Sequence, residues 1–169
     1  NNYDAKLVGG ATLVTNTIEE LGEAIDLDGS TGYVEMPKNI IKDLNLEKMT
    51  IATWVKADKN VPNQRIFDFA SETSRVANRN TMYLSTQGDL ANLEFAIVTP
   101  FTEKFGSTTA TLGSSYKYAL RAPRMDANMW HHVAITIDGF DAVLYVDGTE
   151  VARSSVYNVE PRMILETTM

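Results

Sequence analysis

The stretch 130–152, WHHVAITIDGFDAVLYVDGTEVA, constrains the fold of this chain more than any other. Its apolar residues recur at every second position, which places the side chains of each run alternately on two faces, as in a β-strand. Two Asp-Gly pairs, Asp138-Gly139 and Asp147-Gly148, interrupt the alternation. Because this dipeptide tolerates the positive φ angles of a two-residue hairpin turn, the stretch predicts three antiparallel strands joined by two tight turns.

The same pattern of short runs and polar turns recurs along the rest of the chain. Helical spacing is confined to Asn39–Leu46, which is too short to be more than a connection. Two of the runs flank Gly29–Gly32 and are predicted to form a hairpin. Regularly spaced strands with turn signals predict an all-β antiparallel β-sandwich. The three-stranded stretch 130–152 is called here the meander. The predicted strands before it are Ala11–Val14, Ala24–Asp28, Tyr33–Met36, Thr50–Ala57, Gln64–Ala70, Thr81–Ser85, Leu90–Val98 and Tyr116–Leu120.

Four stretches occur in an order shared with one known family. They are Ala24–Met36 (AIDLDGSTGYVEM), Thr50–Val55 (TIATWV), Arg65–Ser85, and the WHHVA and LYVDG segments of the meander. Together they resemble the laminin G-like domain of the concanavalin A-like lectin/glucanase superfamily. The resemblance implies a two-sheet jelly roll that commonly binds carbohydrate, usually as part of a larger secreted protein. We therefore expect residues 1–169 to form one such domain, excised from a secreted, periplasmic or cell-surface protein.

Composition and charge narrow the function further. A chain of 169 residues with 44% hydrophobic residues has the size and composition of one globular domain. The formal net charge of -7, without a cluster of Lys and Arg, argues against nucleic acid and disfavours acidic polysaccharides. The absence of cysteine excludes disulfides, thiolate metal sites and cysteine nucleophiles. No apolar run reaches the length of a membrane-spanning helix.

The segment after Ala152 departs from the family pattern. Similar domains continue with two closing strands, whereas this sequence ends at Met169 without either element. We therefore expect a sandwich that lacks its final C-terminal strands. The unpaired backbone groups along the open sheet edge would favour pairing with a neighbouring chain, and hence self-association.

The acidic residues do not form the pattern of a glycosidase. Retaining glycoside hydrolysis needs two carboxyl groups about 5 to 5.5 Å apart, and residues two apart on a strand meet that distance. The nearest match places Asp26 and Asp28 on one face but supplies no glutamate pair. Asp28 is expected to cap the Gly29-Ser30 turn instead, with Asp26 facing solvent. We predict that the chain is not an enzyme.

The two histidines are adjacent, at His131 and His132. Neighbouring residues of a strand point to opposite faces, so the pair cannot bind one metal ion from a regular strand. We expect one to be packed or hydrogen-bonded within the sandwich and the other exposed.

Calcium is a separate question, because laminin G-like domains often hold one Ca²⁺ through loop carboxylates and backbone carbonyls. The resemblance makes Asp28 the first candidate ligand of a structural Ca²⁺ and Asp138 the second.

Sugar binding requires an exposed aromatic ring for the apolar sugar face and polar groups for the hydroxyls. Trp54 and Trp130 lie in the structural motifs of the family and are expected in the core. Tyr83 is the preferred contact, with core packing as an equal alternative. The candidate carbohydrate-binding residues are Tyr83, Arg65, Asn80, Phe101, Phe105 and Tyr116.

These observations lead to one functional prediction and one alternative. The chain is predicted to be a noncatalytic carbohydrate-binding or accessory module of a secreted bacterial glycoside hydrolase or another cell-surface glycan-processing protein. A neutral polysaccharide or oligosaccharide is the expected ligand. The alternative is a structural or protein-interaction domain that packs on a catalytic neighbour, binds no glycan, and has a concave surface without exposed aromatics.

Overall fold

Antiparallel strands build the two compact units of the chain, residues 1–44 and residues 45–169. The computed structural model describes residues 4–15, 22–38, 40–41, 47–70, 81–87, 92–100 and 115–155, with the backbone alone at 99–100 and 115–117. Within these ranges no helix is long or apolar enough to span a membrane. The predicted helical turn is represented by Ile40 and Ile41, and the other residues of that connection lie outside the described ranges.

The first unit contains two small antiparallel sheets. Strand β1 pairs with β4, and β2 pairs with β3. The predicted hairpin between β3 and β4 is therefore wrong. The reason lies in the connection, where the amides of Ser30, Thr31 and Gly32 donate to Asp28 and close the loop on itself. The strands are β1 (Lys6–Val8), β2 (Thr12–Thr15), β3 (Glu23–Asp26) and β4 (Tyr33–Glu35).

The second unit contains two four-stranded antiparallel sheets. The meander sheet has the order β12-β11-β10-β5, and the other, called here the β6–β9 sheet, has the order β6-β7-β8-β9. Strand β9 approaches β11 and β12 of the meander sheet. This architecture confirms the predicted all-β, two-sheet antiparallel β-sandwich. The strands are β5 (Lys48–Val55), β6 (Arg65–Ala70), β7 (Thr81–Thr86), β8 (Asn92–Pro100), β9 (Ser115–Pro123), β10 (His131–Asp138), β11 (Asp141–Val146) and β12 (Thr149–Ser154).

Three predictions about the extent and edges of the fold stay predictions. The closing strands are predicted to be missing from the segment after Ala152. Residues 156–169 of that segment lie outside the described ranges. Among the described strands, β5 has β10 on one side and no partner on the other. Self-association through the edge that the missing closing strands would leave is untested, as is the assignment of residues 1–169 to one domain.

Each sheet has a face whose side chains are buried in rows. In the meander sheet, Ile135 pairs with Ile51 on one side and with Leu144 on the other. In the β6–β9 sheet, Phe95 lies in one row between Leu84 and Leu120. Burial of each such side chain contributes about 1.5–3 kcal/mol to folding. The largest fully buried side chains are Phe95, Met82, Leu84, Leu93, Ile97, Ile135, Ile137, Leu144 and Val133.

The two meander turns use glycine in different ways. Asp147 and Gly148 both have positive φ, 50° and 77°, so they form the central pair of a type I′ turn, as predicted. In the first turn Asp138 still pairs with Asp141, and the central residues are Gly139 and Phe140. Gly139 has φ 60°, which matches a type II′ turn with glycine in the first central position. The first turn is thus one residue later than predicted.

Replacing Phe95 by alanine tests whether the buried face of the β6–β9 sheet holds the second unit together. Phe95 is 0% exposed, so Phe95→Ala removes a buried ring and leaves a cavity. We expect the free energy of unfolding to fall by about 3–5 kcal/mol. The matched control is Phe140→Ala at a side chain that is 62% exposed, where the change should stay within about 0.5 kcal/mol. Urea unfolding followed by tryptophan fluorescence measures both, and equal losses would contradict this core assignment.

Candidate functional site

A row of polar side chains crosses the β6–β9 sheet on the face opposite to the Phe95 row. Ser85 pairs with Arg65 on one side and with Glu94 on the other, and Glu94 pairs with Arg121. Side chains directly opposite each other in paired strands share a face. The four residues, one from each strand, therefore form one line, which we call the polar row.

Glu94 is the centre of the polar row and its most buried member. Its side chain is 3% exposed. One carboxylate oxygen, Oε1, accepts from the Tyr83 hydroxyl at 2.9 Å. The other, Oε2, accepts from Gln87 Nε2 at 2.6 Å and from Arg121 Nε at 2.9 Å. Because a buried carboxylate is stable only when it is paired and hydrogen-bonded, these donors define where Glu94 can lie.

Arg65 lies over the ring of Tyr83. Its guanidinium carbon is 3.7 Å from the ring centroid, a cation–π arrangement. Arg65 Nη1 donates to Ser85 Oγ at 3.1 Å, and Arg65 Nε is 3.4 Å from Asp68 Oδ2. The hydroxyl of Thr81 donates to Asp68 Oδ1. These contacts hold the guanidinium in one orientation.

The polar row combines the buried carboxylate of Glu94 with accessible charged groups. The side chains of Arg121 and Arg65 are 54% and 41% exposed, and that of Asp68 is 25% exposed. In the part of the chain that the structure describes, no group accepts a hydrogen bond from the terminal nitrogens of Arg121. Ala96 and Ala119 extend the face beside Tyr83 with small side chains. Together with Asp68, the row thus offers fixed guanidinium N–H donors and one partly exposed carboxylate acceptor at one surface.

The structure brings two of the candidate sugar contacts together. Arg65 and Tyr83 touch, but the Tyr83 ring is 8% exposed beneath the guanidinium, so it supports Arg65 and offers no open stacking surface. Asn80, Phe101 and Phe105 lie outside the described residues, as does the side chain of Tyr116. A role for any of these residues in sugar binding stays a prediction.

The expectation that Trp54 lies in the core is wrong. Its side chain is 48% exposed, and its ring meets His132 edge-on with centroids 5.3 Å apart and an interplanar angle of 62°. The cause is the alternation of β5, in which Ile51 and Val55 point to the core face and Trp54 to the other. That alternation was visible in the sequence. Trp130 is half-buried, and none of the described residues forms a hydrogen bond with its indole nitrogen.

Sequence reasoning also missed Glu94 and Arg121. Glu94 stands between Leu93 and Phe95, so strand alternation assigns it to the polar face. The partner, however, is 27 positions away on β9, and no local pattern identifies it. The pairing depends on strand register, which the sequence alone did not provide.

His131 joins the start of β10 to the second meander turn. It is 9% exposed, with Nδ1 2.8 Å from Asp147 Oδ2 and Nε2 3.2 Å from the carbonyl oxygen of Asp126. The amide of His132 donates to Asp147 Oδ1 at 2.8 Å. Hydrogen bonds from His131 and His132 lower the pKa of Asp147 below its usual value. The prediction that one histidine is packed or hydrogen-bonded is confirmed. The other, His132, is predicted to be exposed but is half-buried on the opposite face, where its ring packs against Trp54.

The two candidate calcium ligands have different surroundings. Asp28 Oδ1 accepts from three backbone amides, and Oδ2 accepts from the Thr31 hydroxyl at 2.7 Å. A Cβ added to Gly10 would lie 2.2 Å from Asp28 Oδ2, so glycine is required there. Asp138 forms an exposed ion pair with Lys48 at 2.7 Å, which raises the pKa of Lys48. Among the described residues, no three His, Cys, Asp or Glu side chains come together as a metal site.

The Asp28 carboxyl should remain ionised in acid. Hydrogen bonds from the amides of Ser30 and Gly32, with the contacts of Thr31, hold its pKa well below the usual 3.8. A depressed folded-state pKa stabilises the folded unit above the unfolded-state pKa, and this contribution is lost as pH falls through the folded value. We expect the carboxyl carbon resonance of Asp28 to keep its ionised chemical shift at about pH 3. A midpoint near the ordinary value would contradict the capped turn.

Comparison with known proteins agrees with the architecture. A family model of the laminin G type, described as the concanavalin A-like lectin/glucanases superfamily, matches residues 28–164. A search of curated proteins finds no match. The matched region includes every strand of the two four-stranded sheets and extends over most of the sequence. The chain therefore belongs to the concanavalin A-like lectin/glucanase superfamily.

Proposed function

We propose that this domain is a noncatalytic carbohydrate-binding module and that the polar row of the β6–β9 sheet is its binding surface. Membership of the superfamily supports a carbohydrate-binding or accessory module in general. The observation that carries the specific proposal is the pair of anchored, half-exposed guanidiniums, Arg65 and Arg121, on one sheet face.

The polar row suits sugar hydroxyls because each hydroxyl both donates and accepts hydrogen bonds. Arg121 presents its terminal N–H groups while Nε is held by Glu94. Asp68 supplies an acceptor next to Arg65. Groups that are already fixed lose little conformational freedom on binding, which favours affinity.

The same contacts favour binding over hydrolysis. A retaining glycosidase needs one carboxyl group that donates a proton and a second that attacks the sugar. Both oxygens of Glu94 accept hydrogen bonds, and Asp68 accepts from Thr81 beside Arg65. These contacts favour fixed acceptors, so we infer that the row holds sugar without cleaving it.

A structural or protein-interaction domain is the second candidate, and one observation favours it. The aromatic ring beside the polar row, Tyr83, is covered by Arg65, whereas the exposed Trp54 lies on the meander sheet. A domain that only packs on a catalytic neighbour needs no aromatic platform for sugars. Uniformly negative binding to a broad glycan array would favour this second function.

Substituting Arg121 by methionine tests the proposed surface, because the change keeps much of the stem and removes the N–H donors. We expect Arg121→Met to weaken glycan binding about tenfold, the value of one or two lost charged hydrogen bonds. The control is Arg153→Met, which removes a half-exposed arginine paired with Glu150 on the meander sheet. Affinity electrophoresis in neutral polysaccharides measures both, with circular dichroism to show that each variant is folded. Equal binding by both variants and the unmodified domain would contradict the proposal.

A structural Ca²⁺ at Asp28 and a secreted, periplasmic or cell-surface parent protein complete the proposal. Both follow from the family resemblance. Asp28 fits the ion in one respect, since Oδ2 accepts one hydrogen bond, from Thr31, and remains an anionic oxygen of the kind Ca²⁺ prefers. Its remaining ligands would be backbone oxygens. Asp138 is the second candidate.

Calcium binding to the native state should raise the melting temperature by mass action. We expect a higher melting temperature in excess Ca²⁺ than in EDTA, and no such difference in the Asp28→Asn variant. Differential scanning calorimetry of both proteins measures it. An unmodified domain that melts at the same temperature in both buffers has no such site.

A further inference from the structure

Resting on the proposed function, we infer that Glu94 and Asp68 are specificity-determining residues that restrict the polar row to uncharged sugars. Each guanidinium of the row has its own carboxylate. Arg121 Nε lies 2.9 Å from Glu94 Oε2, and Arg65 Nε lies 3.4 Å from Asp68 Oδ2. Among the described residues, each positive charge of the row is thus paired with a negative one.

The effect of Glu94 depends on its burial. At 3% exposure its carboxylate is poorly screened by solvent, and it lies 2.9 Å from Nε of the arginine that faces outward. An acidic sugar that approached Arg121 would meet the repulsion of Glu94 together with the attraction of the guanidinium. A neutral sugar would meet only hydrogen-bond donors and acceptors. The carboxylates therefore act against anionic ligands while they orient the arginines for neutral ones.

The charge of the whole chain acts in the same direction. With a formal net charge of -7, the protein gives an approaching polyanion no long-range attraction. The arginines of the row could create only a local attraction, and their paired carboxylates oppose it. Neutralising one carboxylate should therefore make the row more positive by one charge.

Glu94→Gln tests the inference because it keeps the shape of the side chain and removes its charge. Binding of the unmodified domain and the variant is compared on neutral β-glucan, xylan and galactomannan and on acidic polygalacturonate. We expect Glu94→Gln to bind polygalacturonate about tenfold more tightly than the unmodified domain at low salt. This gain should largely disappear at about 150 mM salt, because the new attraction is electrostatic. Binding to the neutral glycans should fall, since Arg121 loses its anchor.

The chain supplies a closely matched control. Glu150 also pairs with an arginine, with contacts of 2.8 and 2.7 Å to Arg153, but its side chain is 41% exposed and lies on the meander sheet. Glu150→Gln changes the net charge by the same amount as Glu94→Gln and should leave glycan preference unchanged. Asp68→Asn is a second test at a more exposed carboxylate, in case Glu94→Gln does not fold, and should shift preference in the same direction.

The outcomes separate this inference from the proposed function. Polygalacturonate binding that both Glu94→Gln and Glu150→Gln raise equally would show a general charge effect and overturn the inference alone. An unmodified domain that prefers polygalacturonate would also overturn it while leaving carbohydrate binding intact. The inference alone would also be overturned if the domain bound neutral glycans while Glu94→Gln and Asp68→Asn left polygalacturonate binding unchanged. Failure of every protein to bind any of the glycans would overturn the proposed function and the inference together.

Discussion

The register of strand β8 is the constraint on which both the core and the candidate site depend. Leu93, Phe95 and Ile97 are fully buried on one face, and Glu94 lies between them on the other. A shift of one residue would place the carboxylate among the core side chains and the phenyl ring on the polar row. Since an unpaired buried charge costs far more than a lost apolar contact, only one register satisfies both faces. The packing of the sheet thereby positions Glu94 opposite Arg121.

Acidic groups in the described residues are repeatedly held by fixed donors. Asp28 accepts hydrogen bonds from backbone amides in its own loop. Asp147 accepts a hydrogen bond from the amide of His132 and contacts the His131 ring. Glu94 accepts hydrogen bonds from the side chains of Tyr83, Gln87 and Arg121. In the first two cases the hydrogen bonds join segments of backbone, and the pKa of each carboxyl is lowered. At Glu94 the hydrogen bond from Arg121 Nε orients the arginine, whose side chain faces solvent. The same interaction thus serves the fold in the turns and orients a surface group in the polar row.

Local sequence pattern predicted the elements of the second unit but not the contacts between them. Alternation and the Asp-Gly pairs were sufficient for the meander, because each of its strands pairs with its neighbour in sequence. The pairing of β5 with β10 and the contact of Glu94 with Arg121 join positions far apart in the chain. Trp54 shows a different failure. Strand alternation predicts its exposed position, whereas its place in a family motif leads to the expectation that it lies in the core. In the first unit, the capped loop after Asp28 separated two strands that proximity alone would have paired.

Two Glu–Arg pairs among the described residues of the second unit show why site chemistry depends on burial more than on residue type. Glu150 and Arg153 are both half-exposed, so water and salt screen the pair and its charges have little influence on a ligand. Glu94 is almost fully buried while Arg121 remains exposed. The carboxylate there acts on the arginine through the protein interior, and a ligand can contact only the guanidinium. A superfamily match locates neither pair, and the distinction between them rests on side-chain exposure on opposite sheets.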